Sequence, residues 1–341
     1  MKIKTNPTID AFFSRCRYHL THETKNDFLG MQVSSQNELE ICQKMKEAGF
    51  AEFMGPQKDW PSLFIKTKDY LKSPYQSHIK FDQIKGKEFR FTKETMPSHE
   101  LFSVSSIHPD PNRELSDWMT LRALDESYQA TFLWQGQEVW MMDAPSEANT
   151  MDPYAKKAHG NVLTFGLGIG YFIYMAMLNP EVKSITVIEK SKAVIDLFDE
   201  VLRPQFLTHI PINIIEGDAF NFFDQDFLND YDYVFVDIWK SNEDGYKLIE
   251  KLLEQVLPDF DKVDFWIESS CFEFMPALIY LYFDALAYHK SIKHPVKVYQ
   301  RVHKKIIAYF DQIEETIDDV DQLKHYMYDP HVLRSIAAIT I

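Results

Sequence analysis

The chain has 341 residues, of which 45% are hydrophobic and 26% charged, and its 36 basic and 51 acidic side chains leave a net charge of −15. This mix is typical of a globular protein with a sizeable core, in one large domain or two ordinary ones. The acidic charge disfavours nucleic acid and anionic membranes as partners.

Three cysteines, Cys16, Cys42 and Cys271, are too few and too far apart for a disulfide framework or a zinc site. The first residues also lack the apolar segment of a signal peptide. We therefore expect a reduced, cytoplasmic protein that does not bind membranes.

Two helices are predicted at the start of the chain. Apolar residues at near-helical spacing indicate a helix over residues 7–30, with Gly30 as its stop. A second helix is expected after Ser35, where Ser35-x-x-Glu38 matches a capping box and Gly49 provides the end. Packing is the simplest role for these helices.

From His78 the hydrophobic period changes to two. Alternating residues predict strands at 79–82 and 89–91 with a turn at Gly86, and residues 101–107 are a further candidate strand. Pro109 and Pro111 mark a loop. We expect the first 128 residues to form an α+β module without a ligand-binding pattern.

A hairpin and a glycine turn follow. Residues 131–134 and 137–141 flank Gln135-Gly136, a turn dipeptide, and a polar connection leads from there to residue 160. Residues 161–177 then read as a strand, a turn on Gly166, Gly168 and Gly170, and a helix. That order is typical of a nucleotide-binding βα unit, in which glycine permits the sharp turn.

Two alternatives apply to this unit. Residues 158–180 contain no charged side chain, and Gly166 and Gly170 fit a G-x-x-x-G pattern, as in a membrane helix. Three glycines and a β-like start disfavour that alternative. The other is a glycine turn that binds no ligand.

Strand and helix patterns alternate over the rest of the chain. Strands are predicted at 184–188, 212–215, 233–236 and 265–267, and helices at 191–202 and 246–256. Such alternation predicts an α/β fold with a Rossmann-like, doubly wound, mostly parallel sheet. Residues 272–288 and 298–327 are expected to be mainly helical, and the last seven residues to form a strand or a frayed helix. The predicted domains are 1–128, 129–290 and a helical extension, 291–341.

Acidic residues end three of these strands, namely Glu189, Asp218 and Asp237. Ligands of open parallel sheets bind at the carboxyl ends of the strands. Glu189 lies 19 residues after Gly170, where an acidic residue can accept hydrogen bonds from a ribose diol. Asp218 can accept from an exocyclic amine or cap a helix. A solvated strand-end carboxylate is the alternative for Glu189.

The ordered set GLGIG, Glu189, GDA and YDYVFVD resembles class I S-adenosylmethionine-dependent methyltransferases, in particular their spermidine-synthase-like branch, over about residues 130–270. The resemblance implies that Gly166, Gly168 and Gly170 face the methionine part of S-adenosylmethionine. It also implies that Glu189 holds the ribose, and that Asp218 with Ala219 holds the adenine.

The chain departs from the family patterns at several places. Thr164 stands where many methyltransferases have an acidic residue, and Ile169 where spermidine synthases have an aspartate. A second aspartate that activates the amine is missing after Asp237, or displaced to Glu243 or Asp244. The third glycine comes one residue early for a dinucleotide-binding G-x-G-x-x-G.

Asp237 is the candidate catalytic base, should the acceptor need to lose a proton, and a structural or cofactor-contacting carboxylate is the alternative. Trp239 is a candidate wall of the acceptor pocket. His159 lies at the wrong end of the sheet, Cys271 reads as a buried thiol, and no metal site is expected.

Three functions follow from these patterns. The first is methyl transfer from S-adenosylmethionine to a small or medium-sized acceptor. The second is aminopropyl transfer to a polyamine. The third is a non-catalytic cofactor-binding scaffold that binds a protein partner. The partner expected for the first is a small-molecule acceptor, and a homodimer stays an open alternative to a monomer.

Overall fold

The computed structural model describes residues 1–21, 25–82, 84, 88–110, 113–207, 210–291 and 296–341. The turn predicted at Gly86 and the Pro111 part of the predicted loop lie outside these residues. The strands are β1 (Lys2–Ile3), β2 (Phe64–Ile65), β3 (Phe89–Met96), β4 (Phe102–Ser103), β5 (His108–Pro109), β6 (Asp117–Trp118), β7 (Leu121–Leu124), β8 (Tyr128–Gln135), β9 (Glu138–Met142), β10 (Gly160–Phe165), β11 (Val182–Glu189), β12 (Ile212–Glu216), β13 (Tyr233–Val236), β14 (Val263–Phe265) and β15 (Thr316–Ile317).

The α-helices are α1 (Pro7–His19), α2 (Glu38–Glu47), α3 (Thr67–Leu71), α4 (Pro74–His78), α5 (Pro145–Lys157), α6 (Tyr171–Met177), α7 (Lys192–Leu197), α8 (Gln225–Asn229), α9 (Asn242–Gln255), α10 (Glu268–Cys271), α11 (Met275–Ala287), α12 (Gln300–Asp311), α13 (Val320–Tyr328) and α14 (Pro330–Ala338). A π-helical segment, Phe198–Leu202, continues α7.

The central sheet has five parallel strands in the order β12-β11-β10-β13-β14. Phe165 at the end of β10 lies opposite Ile188 of β11 and Val236 of β13, so three strands end level with one another. The arrangement is a mixed α/β fold compatible with a Rossmann-like fold. The fifth strand ends at Phe265, earlier than predicted, because Ile267 adopts a left-handed conformation with φ 45° and begins α10.

Alternate residues of the sheet belong to different apolar clusters, as the period of a strand requires. Val162 and Phe235 pack with α5, α6 and α7. Leu163 and Val234 pack with α9 and α11. Helices therefore cover both faces of the sheet, which explains why its strands read as continuous apolar runs.

The predicted hairpin is confirmed as β8 and β9, but its turn is Gly136-Gln137 and not Gln135-Gly136, because Gln135 is the last residue of β8 and pairs with Glu138. Gly136 has a φ of 59°. Strand β3 pairs antiparallel with β8 along its whole length, from Phe89 to Met96. The strand predicted at 79–82 is wrong, because these residues follow the end of α4 and pair with no strand in the described part of the chain.

The two N-terminal helices differ from their predictions. Helix α1 ends at His19, well before Gly30. Helix α2 begins after Asn37 instead of Ser35. The Glu38 carboxylate accepts hydrogen bonds from the Ser62 hydroxyl and the Leu63 N–H, so the predicted capping box is wrong. Gly49, with φ 87°, follows the end of α2 as predicted.

The polar connection predicted after the hairpin is wrong, because Pro145–Lys157 forms helix α5. Two prolines obscure the helix in the sequence. Pro145 occupies the first turn, where the missing N–H costs nothing, and Pro153 lies inside. Buried Ala148, Met151 and Ala155 follow helical spacing, and this spacing is the signal that could have revealed the helix.

The start of the chain packs with its end. Strand β1 pairs parallel with β15, and Phe12 and Phe13 of α1 share one core with Ile306 and Leu323 of the C-terminal helices. The last residues form a helix up to Ala338, which is the helical alternative of the prediction.

Across the described residues, no helix has both the length and the apolarity that a bilayer span needs.

Candidate functional site

A cavity of about 350 Å³ lies at the carboxyl ends of β10 to β13. The strand order runs outward in opposite directions from β10, which is where open α/β sheets leave a crevice for ligands. Its lining includes Trp140, Met141, Glu147, Met151, Gly166, Gly168, Glu189, Lys190, Asp218, Ala219, Asp237, Trp239 and Trp266. The structure thus brings all the predicted site residues except Gly170 to one cavity, while their roles stay predictions.

Close contacts with other protein atoms require glycine at two positions of the turn. A Cβ on Gly166, whose φ is 98°, would lie 2.0 Å from the Asp237 carbonyl oxygen. A Cβ on Gly170 would lie 2.6 Å from the Phe198 ring. Of the three turn glycines, Gly166 and Gly168 line the cavity, and a Cβ on Gly168 would lie 3.2 Å from the Met141 methyl carbon.

Glu189 ends β11 and braces the glycine turn. One carboxylate oxygen accepts from the Leu167 N–H at 3.0 Å and the other from the Ser191 N–H at 2.7 Å. Each carboxylate oxygen has a second acceptor position. The half-buried side chain can therefore hold the turn and still accept hydrogen bonds from a ligand in the cavity.

Asp218 caps the short 3-10 helix Ala219–Asn221 through the Phe220 N–H, so the helix-cap alternative is confirmed. Its other carboxylate oxygen accepts from the Lys190 ammonium at 2.8 Å, and this bond lowers the pKa of Asp218. Lys190 itself lines the cavity. Side-chain alternation along a strand places neighbours on opposite sides, but β11 has ended at Glu189, so Lys190 turns to the same rim.

Asp237 follows β13 and lines the cavity with a carboxylate that has no hydrogen bond or ion pair in the described chain. Burial, followed by the negative charge of Glu189, raises the pKa of Asp237 to about 7. The side chain is therefore close to half-ionised at neutral pH, which suits a group that accepts a proton.

Glu147 of α5 is the residue that the sequence reasoning missed. It lines the same cavity, and its carboxylate likewise has no partner among the described residues. Burial, then the charges of Asp237 and Asp143, raise the pKa of Glu147 to about 8. Two unpaired carboxyl groups on different elements in one cavity, both with raised pKa values, are typical of functional sites.

Asp143 lies behind Glu147 and is engaged by the protein. It accepts from the Tyr70 hydroxyl, and burial raises its pKa. Tyr128 donates to its backbone carbonyl at 2.8 Å. This network fixes the end of β9 and hence the start of α5, which carries Glu147.

Acidic side chains outnumber basic ones in the described cavity lining. Four carboxylates, from Glu147, Glu189, Asp218 and Asp237, face two lysines among the described lining residues. Both lysines are paired, Lys190 with Asp218 and Lys240 with Glu138. A cationic or neutral ligand fits this lining, whereas a pyrophosphate finds no free cation there.

Other predicted residues lie as follows. Trp239 is buried against Phe265 and lines the cavity with one edge. Asp244 caps α9 by accepting from Ser241, and neither it nor exposed Glu243 lines this cavity. They do not stand in for the missing aspartate of the spermidine synthases.

His159 and Cys271 take no part in the cavity. His159 is exposed before β10, at the opposite end of the sheet. Cys271 is a free, buried thiol, and burial raises its pKa to about 12. In the described chain no three His, Cys, Asp or Glu side chains come together as a metal site.

Comparisons with known proteins give limited similarity. No protein-family model matches the chain. No curated protein matches it either. Among solved structures, SMU.776, described as a proposed methyltransferase and crystallised with SAH, is similar over 41% of this chain and 37% of its own, with 15% identity and a TM-score of 0.25. A likeness of this extent carries no argument about function.

Proposed function

We propose that this protein is an S-adenosylmethionine-dependent methyltransferase with a doubly wound, class I arrangement, acting on a small or medium-sized acceptor. The observation that carries the proposal is the acidic cavity at the point where the strand order reverses, with the glycine turn, Glu189 and Asp218 on three neighbouring strands. A sulfonium and an ammonium group complement these carboxylates, and a dinucleotide pyrophosphate does not.

The residues present fit this cofactor. Glu189 keeps free acceptor positions for a ribose diol beside the turn that it braces. Asp218 and Ala219 lie at the adjoining strand end, where an adenine edge can be recognised. When bound, the cofactor supplies a methyl group that is already activated as a sulfonium substituent.

The protein's own contribution is alignment, exclusion of water and proton transfer. The aromatic and thioether side chains of Trp140, Met141, Met151 and Trp266 line the same cavity as the carboxyl groups and reduce the access of water. Asp237 is proposed as the base, because its pKa of about 7 lets it take a proton from an acceptor near neutral pH.

Calorimetry with S-adenosylmethionine, S-adenosylhomocysteine and NAD tests the proposal. We expect the two sulfur ligands to bind and NAD not to bind. Absence of binding by both sulfur ligands at millimolar concentration would contradict it. The variant Asp237→Asn separates a base from a cofactor contact, because only a cofactor contact loses S-adenosylhomocysteine affinity on substitution.

Aminopropyl transfer remains a second candidate, because the acidic cavity also suits a cationic polyamine. Product analysis with putrescine and the decarboxylated cofactor separates it from methyl transfer. Cofactor binding without turnover on a broad panel of acceptors would favour a scaffold.

A further inference from the structure

A second cavity of about 330 Å³ adjoins the first and opens to solvent. Its walls come from Ser103, residues 105–107 and Met119 of the N-terminal third, from Met142 and α5, from Asn242 of α9, and from the segment after β14. Glu147 and Trp266 line both cavities. A molecule in the second cavity can therefore contact Glu147, which also borders the first cavity.

Most polar groups in the walls of this second cavity already have protein partners. The Ser270 hydroxyl accepts from the Ile107 N–H at 2.8 Å, and the Trp266 indole donates to Thr150 at 3.1 Å. Ser105 accepts from the Thr120 N–H. The Ile107–Ser270 bond ties the N-terminal third to the sheet domain, and the three bonds together leave a wall that is mainly apolar towards a ligand.

The described lining of the second cavity has one ionisable side chain. Its described lining contains no lysine or arginine and a single carboxylate, Glu147. An anionic acceptor would have no counter-charge there. A molecule with two ammonium groups would find no second carboxylate among the described lining residues for its other ammonium group.

We infer that the second cavity binds the acceptor of the proposed methyl transfer, and that this acceptor is a monoamine with one apolar body whose nitrogen contacts Glu147. That the bound molecule is a methyl acceptor rests on the proposed function. That it is a monoamine rests on the lining of the cavity. Glu147 is a specificity residue here, since it is the single acidic side chain among the described lining residues, and a bound ammonium group favours its ionised form.

Binding of matched probes tests the charge preference. Calorimetry is done on the full chain with saturating S-adenosylhomocysteine, using phenethylamine, 2-phenylethanol, 3-phenylpropanoate and 1,4-diaminobutane. We expect phenethylamine to bind at least about tenfold more tightly than 2-phenylethanol, because one charged hydrogen bond is worth roughly 1.5–3 kcal/mol. The carboxylate and the diamine should bind more weakly than phenethylamine.

Two variants assign that preference to this cavity. Glu147→Gln should make phenethylamine and 2-phenylethanol bind equally, whereas Glu181→Gln, an exposed carboxylate at the other end of the sheet, should change nothing. Ser106→Trp should fill the cavity and abolish binding of both probes while S-adenosylhomocysteine affinity stays within about twofold. Ser106→Ala is its control and should bind as the wild type does.

Several results would overturn the inference. They are equal wild-type affinity for the amine and the alcohol, a preference that survives Glu147→Gln, tightest binding of the diamine, or unchanged probe binding in Ser106→Trp. Repeating the titration without S-adenosylhomocysteine separates the two proposals. Failure of S-adenosylhomocysteine to bind contradicts the methyltransferase, whereas Glu147-dependent amine binding would then still support the amine site.

Discussion

At the scale of single residues, Glu189 has two tasks, because it braces the glycine turn and faces the cavity. Glu189→Gln keeps one acceptor oxygen and replaces the other with a donor that cannot accept a backbone N–H bond. We expect affinity for S-adenosylhomocysteine to fall by about one to two decades. Calorimetry measures this change.

Lys190→Gln is not a neutral control for that measurement, although side-chain alternation along a strand would suggest it. The ammonium of Lys190 holds Asp218 at the cavity rim, so its removal changes the site. Glu181→Gln is the better control, since it makes the same chemical change at the opposite end of the sheet. Equal affinity in the wild type and in folded Glu189→Gln would show that the ligand has been assigned to the wrong strand end.

Glu147 gives a prediction about pH. Its pKa is about 8 in the folded protein and about 4.3 when unfolded, so the unfolded state releases its proton first as pH rises. The stability that this group contributes is present below about pH 4.3 and is lost as pH rises through 8. Asp237 and Asp143 face the same group and strengthen the effect.

Glu147→Gln should therefore be more stabilising at pH 8 than at pH 5, by on the order of 3 kcal/mol. Urea unfolding of the wild type and the variant at both pH values measures the difference. Glu181→Gln should show a difference from the wild type that does not depend on pH in this range. A constant difference for Glu147→Gln would contradict burial of the carboxylate.

At the scale of elements, the glycine turn is held by its packing against the helix after β11. Gly170→Ala meets the Phe198 ring at 2.6 Å and keeps a φ of 74°, whereas Gly136→Ala in the hairpin keeps a φ of 59° and meets open space. The two variants share the backbone strain and differ in the clash. We expect Gly170→Ala to be more destabilising by about 1–3 kcal/mol, measured by urea unfolding.

Equal destabilisation of the two glycine variants would show that backbone conformation alone requires Gly170. The distinction matters for the site, because a glycine kept for packing says nothing about a ligand. In this turn Gly168 has the best claim to a ligand contact, since it lines the cavity and its nearest neighbour is the flexible end of Met141.

At the scale of the whole molecule, the N-terminal helix belongs to the core that also holds the C-terminal helices. Phe13 is fully buried, and its carbonyl accepts from the Tyr280 hydroxyl. Phe13→Ala should lower the free energy of unfolding by about 3–5 kcal/mol. Tyr18→Ala on the same helix, at an exposed position, is the control and should change it by less than about 0.5 kcal/mol.

Thermal unfolding measures both variants and also bears on the predicted domain boundaries. If residues 1–128 unfolded as a separate module, Phe13→Ala would lower only one of two transitions. A single transition that moves as a whole would indicate that the first helix and the last helices unfold together with the sheet.

Local patterns determined the order of strands and helices in the parallel sheet and the ends of β11 and β13, but not the end of β14. Long apolar runs buried on both faces, closed by Glu189, Asp218 and Asp237, are readable without a structure because each run and its final residue are contiguous in the chain. The hairpin was readable for the same reason, since its turn and its two strands are adjacent.

Only the tertiary structure determined which side chains and backbone groups from distant parts of the chain lie next to each other. Whether Glu147 meets Asp237, whether Lys190 turns to Asp218 and whether Gly166 approaches the Asp237 carbonyl all depend on how elements distant in sequence pack. Helix α5 was not predicted because its two prolines lower the helix propensity of the segment. In the fold, burial of Ala148, Met151 and Ala155 against the sheet stabilises the helix. The second cavity exists only where the N-terminal third meets the sheet domain, and no local pattern encodes that contact.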